Sequence, residues 1–142
     1  MQAIVIFESL TGNTAKAGRA IADQLTEAGI PTVASPITAI DLEALSGADL
    51  VIVGSWVDGI FIAGQRPGRE GRLKKMPVID GKQAAVYCTY ALKDGKTLEK
   101  LSAIVERRGG DVIGGYAIRR DRIERDATSF VDRLLGALSA NA

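Results

Sequence analysis

Apolar residues along the chain gather into five short runs rich in β-branched or aromatic side chains: Ala3–Phe7, Pro31–Ala34, Leu50–Gly54, Gln83–Cys88 and Val112–Ile118. Each predicts a strand. Between them the period changes. Ala17, Ile21, Leu25 and Ala28 share one helical face, as do Leu98, Leu101, Ile104 and Val105, and finally Phe130, Leu134 and Leu138. Strands that alternate with helices imply parallel pairing, since each parallel connection must cross back over the sheet and cover it on both faces. The predicted fold is therefore a three-layer, doubly wound α/β domain with five parallel strands, a single unit over residues 1–142 without linker or repeat. Gly29-Ile30-Pro31, Asp80-Gly81 and Gly109-Gly110 mark the turns that close helices before strands. The connection from Ser55 to Pro77 is unusually long, and long loops in compact domains are often functional.

Composition narrows the function classes. The 142 residues are 46% hydrophobic and 25% charged, which suits one domain with a sizeable core. A formal charge of +1 gives no overall drive toward nucleic acid or an anionic membrane. Cys88 is the only cysteine and there is no histidine, so an internal disulfide, a histidine-based triad and most zinc sites are excluded. The N-terminal apolar run follows no basic segment and no stretch reaches membrane-spanning length, so the expectation is a soluble, cytoplasmic protein without targeting signal.

The candidate chemistry begins where the first strand ends. The loop Ser9-Leu10-Thr11-Gly12-Asn13-Thr14 leaves a parallel strand and enters a helix, a place where unpaired backbone N–H groups meet the positive end of the helix dipole. Ser9, Thr11, Asn13 and Thr14 add side-chain donors, and Gly12 lets the backbone approach a bound group, so a phosphate can be held without a cation. Two other phosphate loops do not fit: Gly12 leads to Gly18-Arg19 rather than to Gly-Lys-Ser/Thr, and GxGxxG is absent. The competing reading is an ordinary turn whose polar residues cap a helix.

The wider pattern Val5-Ile6-Phe7-x-Ser9-x-x-Gly12-x-Thr14 resembles the FMN-phosphate signature of the flavodoxin family. One position departs: Gly18 stands where the family prefers alanine, at a cost in helix propensity of ~1 kcal/mol. The resemblance extends over nearly the whole chain and implies strand order 2-1-3-4-5, with FMN at the switch point between the first and third strands. It also implies that Ser55-Trp56-Val57-Asp58-Gly59 and Thr89-Tyr90-Ala91 border the isoalloxazine, with Trp56 and Tyr90 as its flanking rings. Half-buried packing is the alternative role for both aromatics. Cys88-Thr89-Tyr90 lacks the glycine- and acid-rich segment that commonly precedes the family's tyrosine. A chain of this size offers no site for an adenosine half, which favours FMN over FAD. Cys88 reads as an inert thiol, and no residue is assigned a catalytic or metal-binding role.

Arg66, Arg69, Arg72, Lys74 and Lys75 crowd the segment after the flavin loop, where flavodoxins are generally acidic. The readings are a solvated surface, a docking site for an acidic redox partner, or a site for an anionic substrate. Arg119, Arg120, Arg122 and Arg125, interleaved with acids, read as a solvated helix start. The resemblance implies an FMN-binding electron carrier. The alternatives are a small FMN-dependent oxidoreductase of the quinone reductase or protoporphyrinogen oxidase kind, with a substrate site in the 60–75 loop, and a flavin-free binding module.

Overall fold

The structure, a computed structural model, describes residues 1–59 and 64–140. Strands β1 (Ala3–Phe7), β2 (Thr32–Pro36), β3 (Leu50–Asp58), β5 (Gln83–Tyr90) and β6 (Asp111–Arg119) lie in the order β2-β1-β3-β5-β6, all parallel. This is the doubly wound order expected for the five apolar runs. Beside these five expected parallel strands, a two-residue strand, β4 (Arg66–Pro67), pairs antiparallel with the end of β3.

The core follows from the alternation of side chains along the central strands. Val5 and Phe7 of β1 face α1 (Asn13–Glu27) and α5 (Ile123–Ala140), packing with Ile21, Leu25 and Phe130. Ile4 and Ile6 face the other layer, with Leu45 of α2 (Leu42–Gly47) and Leu101 and Val105 of α4 (Thr97–Arg107). With both faces covered, β1 is buried at every residue, which is why it reads as a continuous apolar run. The short helix α3 (Glu70–Leu73) completes the second layer through Leu73.

Two local features shape the site. Asp41 caps α2 by accepting the Ala44 N–H at 3.0 Å, whereas α1 begins behind Gly12, which has no side chain to cap it. Gly12 has φ 97°, a left-handed conformation that a residue with a Cβ adopts only under strain. Tyr87, fully buried on β5, runs beneath α1 and donates its hydroxyl to the Thr14 carbonyl at 2.9 Å. Its ring occupies the space left by Gly54, and its hydroxyl the space left by Gly18. The glycine that departs from the family pattern is thus the complement of a tyrosine on the neighbouring strand.

Candidate functional site

The C-terminal ends of β1, β3 and β5 bring the three sequence-predicted loops to one edge of the sheet. Leu10, Thr11 and Asn13 from the first, Trp56 and Val57 from the second, and Thr89 with Tyr90 and Ala91 from the third line a single cleft of about 160 Å³. Each loop reaches it for a different reason. The first is set by Gly12 and by Ser9, whose hydroxyl accepts the N–H groups of Gly12 (3.2 Å) and Ala15 (3.3 Å). Ser9 therefore serves partly as the helix cap of the competing reading, while Thr11 and Asn13 bond each other at 3.4 Å on the cleft wall.

Thr14 sits deeper than its neighbours. Its hydroxyl is buried and lies 2.8 Å from the hydroxyl of Thr89, tying the first loop to the third.

The second loop is not a free loop. Ser55 and Trp56 continue β3 opposite Cys88 and Thr89 of β5, and Val57 and Asp58 continue it because β4 folds back on them, with Val57 opposite Pro67 and Asp58 opposite Arg66. Gly59 has φ 101° and donates its N–H to Asp58 Oδ1 at 3.0 Å. Residues 60–63, part of the proposed substrate loop, lie outside the described residues. Trp56 is clamped from behind: a Cβ at Gly68 would fall 2.0 Å from the indole, and the Gly68 N–H donates to the Trp56 carbonyl at 2.8 Å. The buried Ser55 hydroxyl donates to the Gly68 carbonyl, also at 2.8 Å.

Behind this clamp stands a residue that the sequence pattern passes over. Glu8, only 3% exposed, receives Arg69 Nη1 at 2.9 Å and Arg72 Nη1 at 3.2 Å. Arg69 also places its guanidinium 5.7 Å from the Trp56 ring centroid. It does so from φ 48°, the one non-glycine left-handed backbone among the described residues. The basic loop is therefore not uniformly solvated: two of its five cations are bound to the foot of the first loop. Arg66 and Lys74 make long pairs with Asp58 (3.7 Å) and Glu70 (3.8 Å).

The other basic run also divides. Arg120, read from the sequence as part of a solvated helix start, lines the cleft, and its N–H donates to the Tyr90 carbonyl at 2.9 Å. The structural signal for Arg120 was its place one residue beyond the last strand, which the charge pattern obscured. Cys88 is buried, and burial, with Asp94 adding to it, pushes its thiol far above the usual range. It stays protonated at any ordinary pH. Among the described residues no group of His, Cys, Asp or Glu is placed to hold a metal ion, and no helix is long and apolar enough to cross a membrane.

The model of the flavodoxin domain family matches residues 4–126, a span that contains all three loops and, but for Ala3, every strand. The chain belongs to the flavodoxin family. This is a family of FMN-binding electron-transfer proteins. Among solved structures, a cysteine-to-serine mutant of flavodoxin from Pseudomonas aeruginosa is similar over 98% of this chain and 99% of its own, at 16% identity and TM-score 0.73. The two-electron reduced flavodoxin of Megasphaera elsdenii matches 89% of this chain and 98% of its own, at 17% identity and TM-score 0.67. Rubredoxin oxygen:oxidoreductase from Desulfovibrio gigas covers 96% of this chain, with 16% identity and TM-score 0.68, and the chain spans 37% of that protein. No curated protein sequence matches.

The residues present fit the family's cofactor. A flavodoxin holds a phosphate at the start of the first helix, and here that helix begins at a left-handed glycine, with Ser9 taking the Ala15 N–H, beside the hydroxyl and amide groups of the cleft wall.

Proposed function

We propose that this flavodoxin-family chain is a cytoplasmic carrier that uses FMN to shuttle one or two electrons between redox partners. The observation that supports this most is the meeting of Trp56, Tyr90 and the start of α1 in one cleft. The residues assigned to the cofactor are Ser9–Thr14, Ser55–Gly59 and Thr89–Ala91. The first group would hold the phosphate through hydroxyl and backbone N–H donors, and Trp56 and Tyr90 would border the ring. FMN itself supplies the electron-accepting chemistry when bound. The chain contributes position, electrostatics and exclusion of water from one side of the ring, and needs no catalytic acid, base or nucleophile.

The partner surface we assign is the basic segment Arg66–Lys75, for an acidic protein. Because Arg69 and Arg72 are engaged with Glu8, the cations best able to steer a partner are Lys74 and Lys75, both exposed. Arg120 on the cleft wall favours a second reading, an FMN-dependent oxidoreductase acting on an anionic substrate.

Rapid mixing separates the two. Photoreduced holoprotein is expected to reduce ferricyanide, an anionic one-electron acceptor, quickly at low salt. Lys74→Glu combined with Lys75→Glu should slow that step severalfold, and the difference should vanish at about 0.5 M salt as screening sets in. Oxidised holoprotein should take up hydride from NADPH only slowly. Fast reduction by NADPH with turnover of a quinone would replace the carrier by the oxidoreductase.

A further inference from the structure

Strand β6 forms one edge of the sheet, with β5 on its inner side and no strand beyond it among the described residues. An open edge presents a row of unpaired N–H and C=O groups, and proteins usually blunt it. Here only its two ends are blunted. At the start, Ala84 pairs with Val112 and Ala85 with Gly114, so Ile113 is an extra residue that breaks the ladder. At the finish, the Arg119 N–H is taken by Asp126 Oδ2 at 2.9 Å. Between them Gly114 to Ala117 leave an open window of about four residues, roughly 13 Å long. Gly115 is exposed, and a Cβ at Gly114 would meet nothing within 4 Å, so no side chain of these two residues shields the backbone.

Along this window runs a groove of about 410 Å³ whose two banks differ. On the α4 side Leu98 presents an apolar surface, its Cδ2 3.7 Å from the Cβ position of Gly115. On the α5 side stand Arg122 and Arg133, neither with a carboxylate within 4.0 Å among the described residues. Arg133 is positioned without one: its guanidinium lies 5.0 Å from the Tyr116 ring centroid, and that ring packs on Phe130 at 6.1 Å. A stacked guanidinium keeps its N–H edge free for an anion.

We propose that the open edge of β6 accepts an extended acidic segment of a partner protein by strand addition, with carboxylates on Arg122 and Arg133 and apolar side chains on Leu98. A strand projects successive side chains to opposite faces, so a segment added to β6 offers one set to each bank. The groove therefore selects a period-two alternation of acidic and apolar residues. Tyr90 lines both this groove and the cleft between the three loops, so an occupied groove lies beside that cleft. Binding at the β6 edge does not depend on whether the chain carries electrons.

The probe is a fluorescein-labelled octapeptide alternating glutamate and valine, titrated by fluorescence anisotropy at low salt. Saturable binding is expected, with amide hydrogen exchange slowed at residues 115–117. Arg122→Glu with Arg133→Glu should weaken it at least tenfold, as should Gly115→Pro, which removes a backbone donor from the window. A lysine–valine octapeptide, and one with four glutamates followed by four valines, should bind at least tenfold more weakly. No saturable binding, unchanged affinity in the double arginine variant, equal binding of the lysine peptide, or protection elsewhere than β6 would each overturn the proposal. So would a doubled mass in light scattering that Gly115→Pro abolishes, since the edge would then belong to a second copy of the chain.

Discussion

Gly54→Ala is expected to lower the melting temperature by about 10 °C, a loss of about 3 kcal/mol. The added methyl would lie 2.0 Å from Cζ of Tyr87, a ring that is fully buried and packs on Phe130 at 6.3 Å, so it cannot turn aside cheaply. Gly18→Ala puts two effects in opposition. Alanine favours a helix over glycine by ~1 kcal/mol, but its methyl would stand 2.7 Å from the Tyr87 hydroxyl, with Val5 and Phe7 at 3.2 and 3.3 Å. The clash is the larger effect, and the substitution should destabilise by about 1–2 kcal/mol. Tyr87→Phe removes the hydroxyl but keeps the ring, so it should relieve most of the Gly18→Ala cost and little of the Gly54→Ala cost. Urea denaturation of the single and double variants measures the coupling. Equal costs of Gly18→Ala in both backgrounds would mean that Tyr87 does not set the choice of glycine in α1.

The second large effect concerns Glu8, and it is asymmetric. Removing both arginines, Arg69→Ala with Arg72→Ala, leaves a carboxylate that is 3% exposed without a partner, which should cost about 3–5 kcal/mol. Glu8→Gln leaves instead two guanidiniums that are 42% and 49% exposed and can turn to water. That change should cost about 1–2 kcal/mol, since solvent recovers much of the lost interaction. Trp56 is the only tryptophan and is held by Gly68 and Arg69, so its emission reports the clamp alongside the denaturation curves. Similar losses in the two variants would place the contribution of this cluster in packing of the arginine stems rather than in the buried charge.

What the sequence made legible was what depends on local periodicity. The central strands announce themselves because burial on both faces demands unbroken apolar runs, and α1 shows its face through Ala17, Ile21 and Leu25. Ala28, assigned to the same face, proves exposed because the helix ends at Glu27 and Ala28 is its cap. The three loops of the cleft were also legible, since in a doubly wound sheet the ends of β1, β3 and β5 must share an edge. Features that rest on distant partners were not. The extension of β3 past Trp56 depends on β4, and Gly68 reaches Trp56 only after the chain doubles back. Glu8 pairs with a residue 61 positions away, so its one local sign was an acid directly after a wholly apolar strand. Gly18 looked like a flaw in a helix because its reason, Tyr87, stands on another strand. Charge runs were the least informative, since Arg119, Arg120 and Arg122 are adjacent in sequence yet serve two different surfaces.

The most direct test of the FMN cleft is a titration of cofactor-free protein with FMN, riboflavin and FAD, followed by quenching of flavin and Trp56 fluorescence. One FMN per chain should bind, more tightly than riboflavin, because the donors at the start of α1 act on the phosphate. Thr11→Val should weaken FMN by tenfold or more, in line with ~1.5–3 kcal/mol for a hydrogen bond to a charged group, and riboflavin much less. Riboflavin bound as tightly as FMN, equal losses for both ligands in Thr11→Val, or stoichiometric binding of FAD alone would contradict a phosphate-anchored FMN in this cleft.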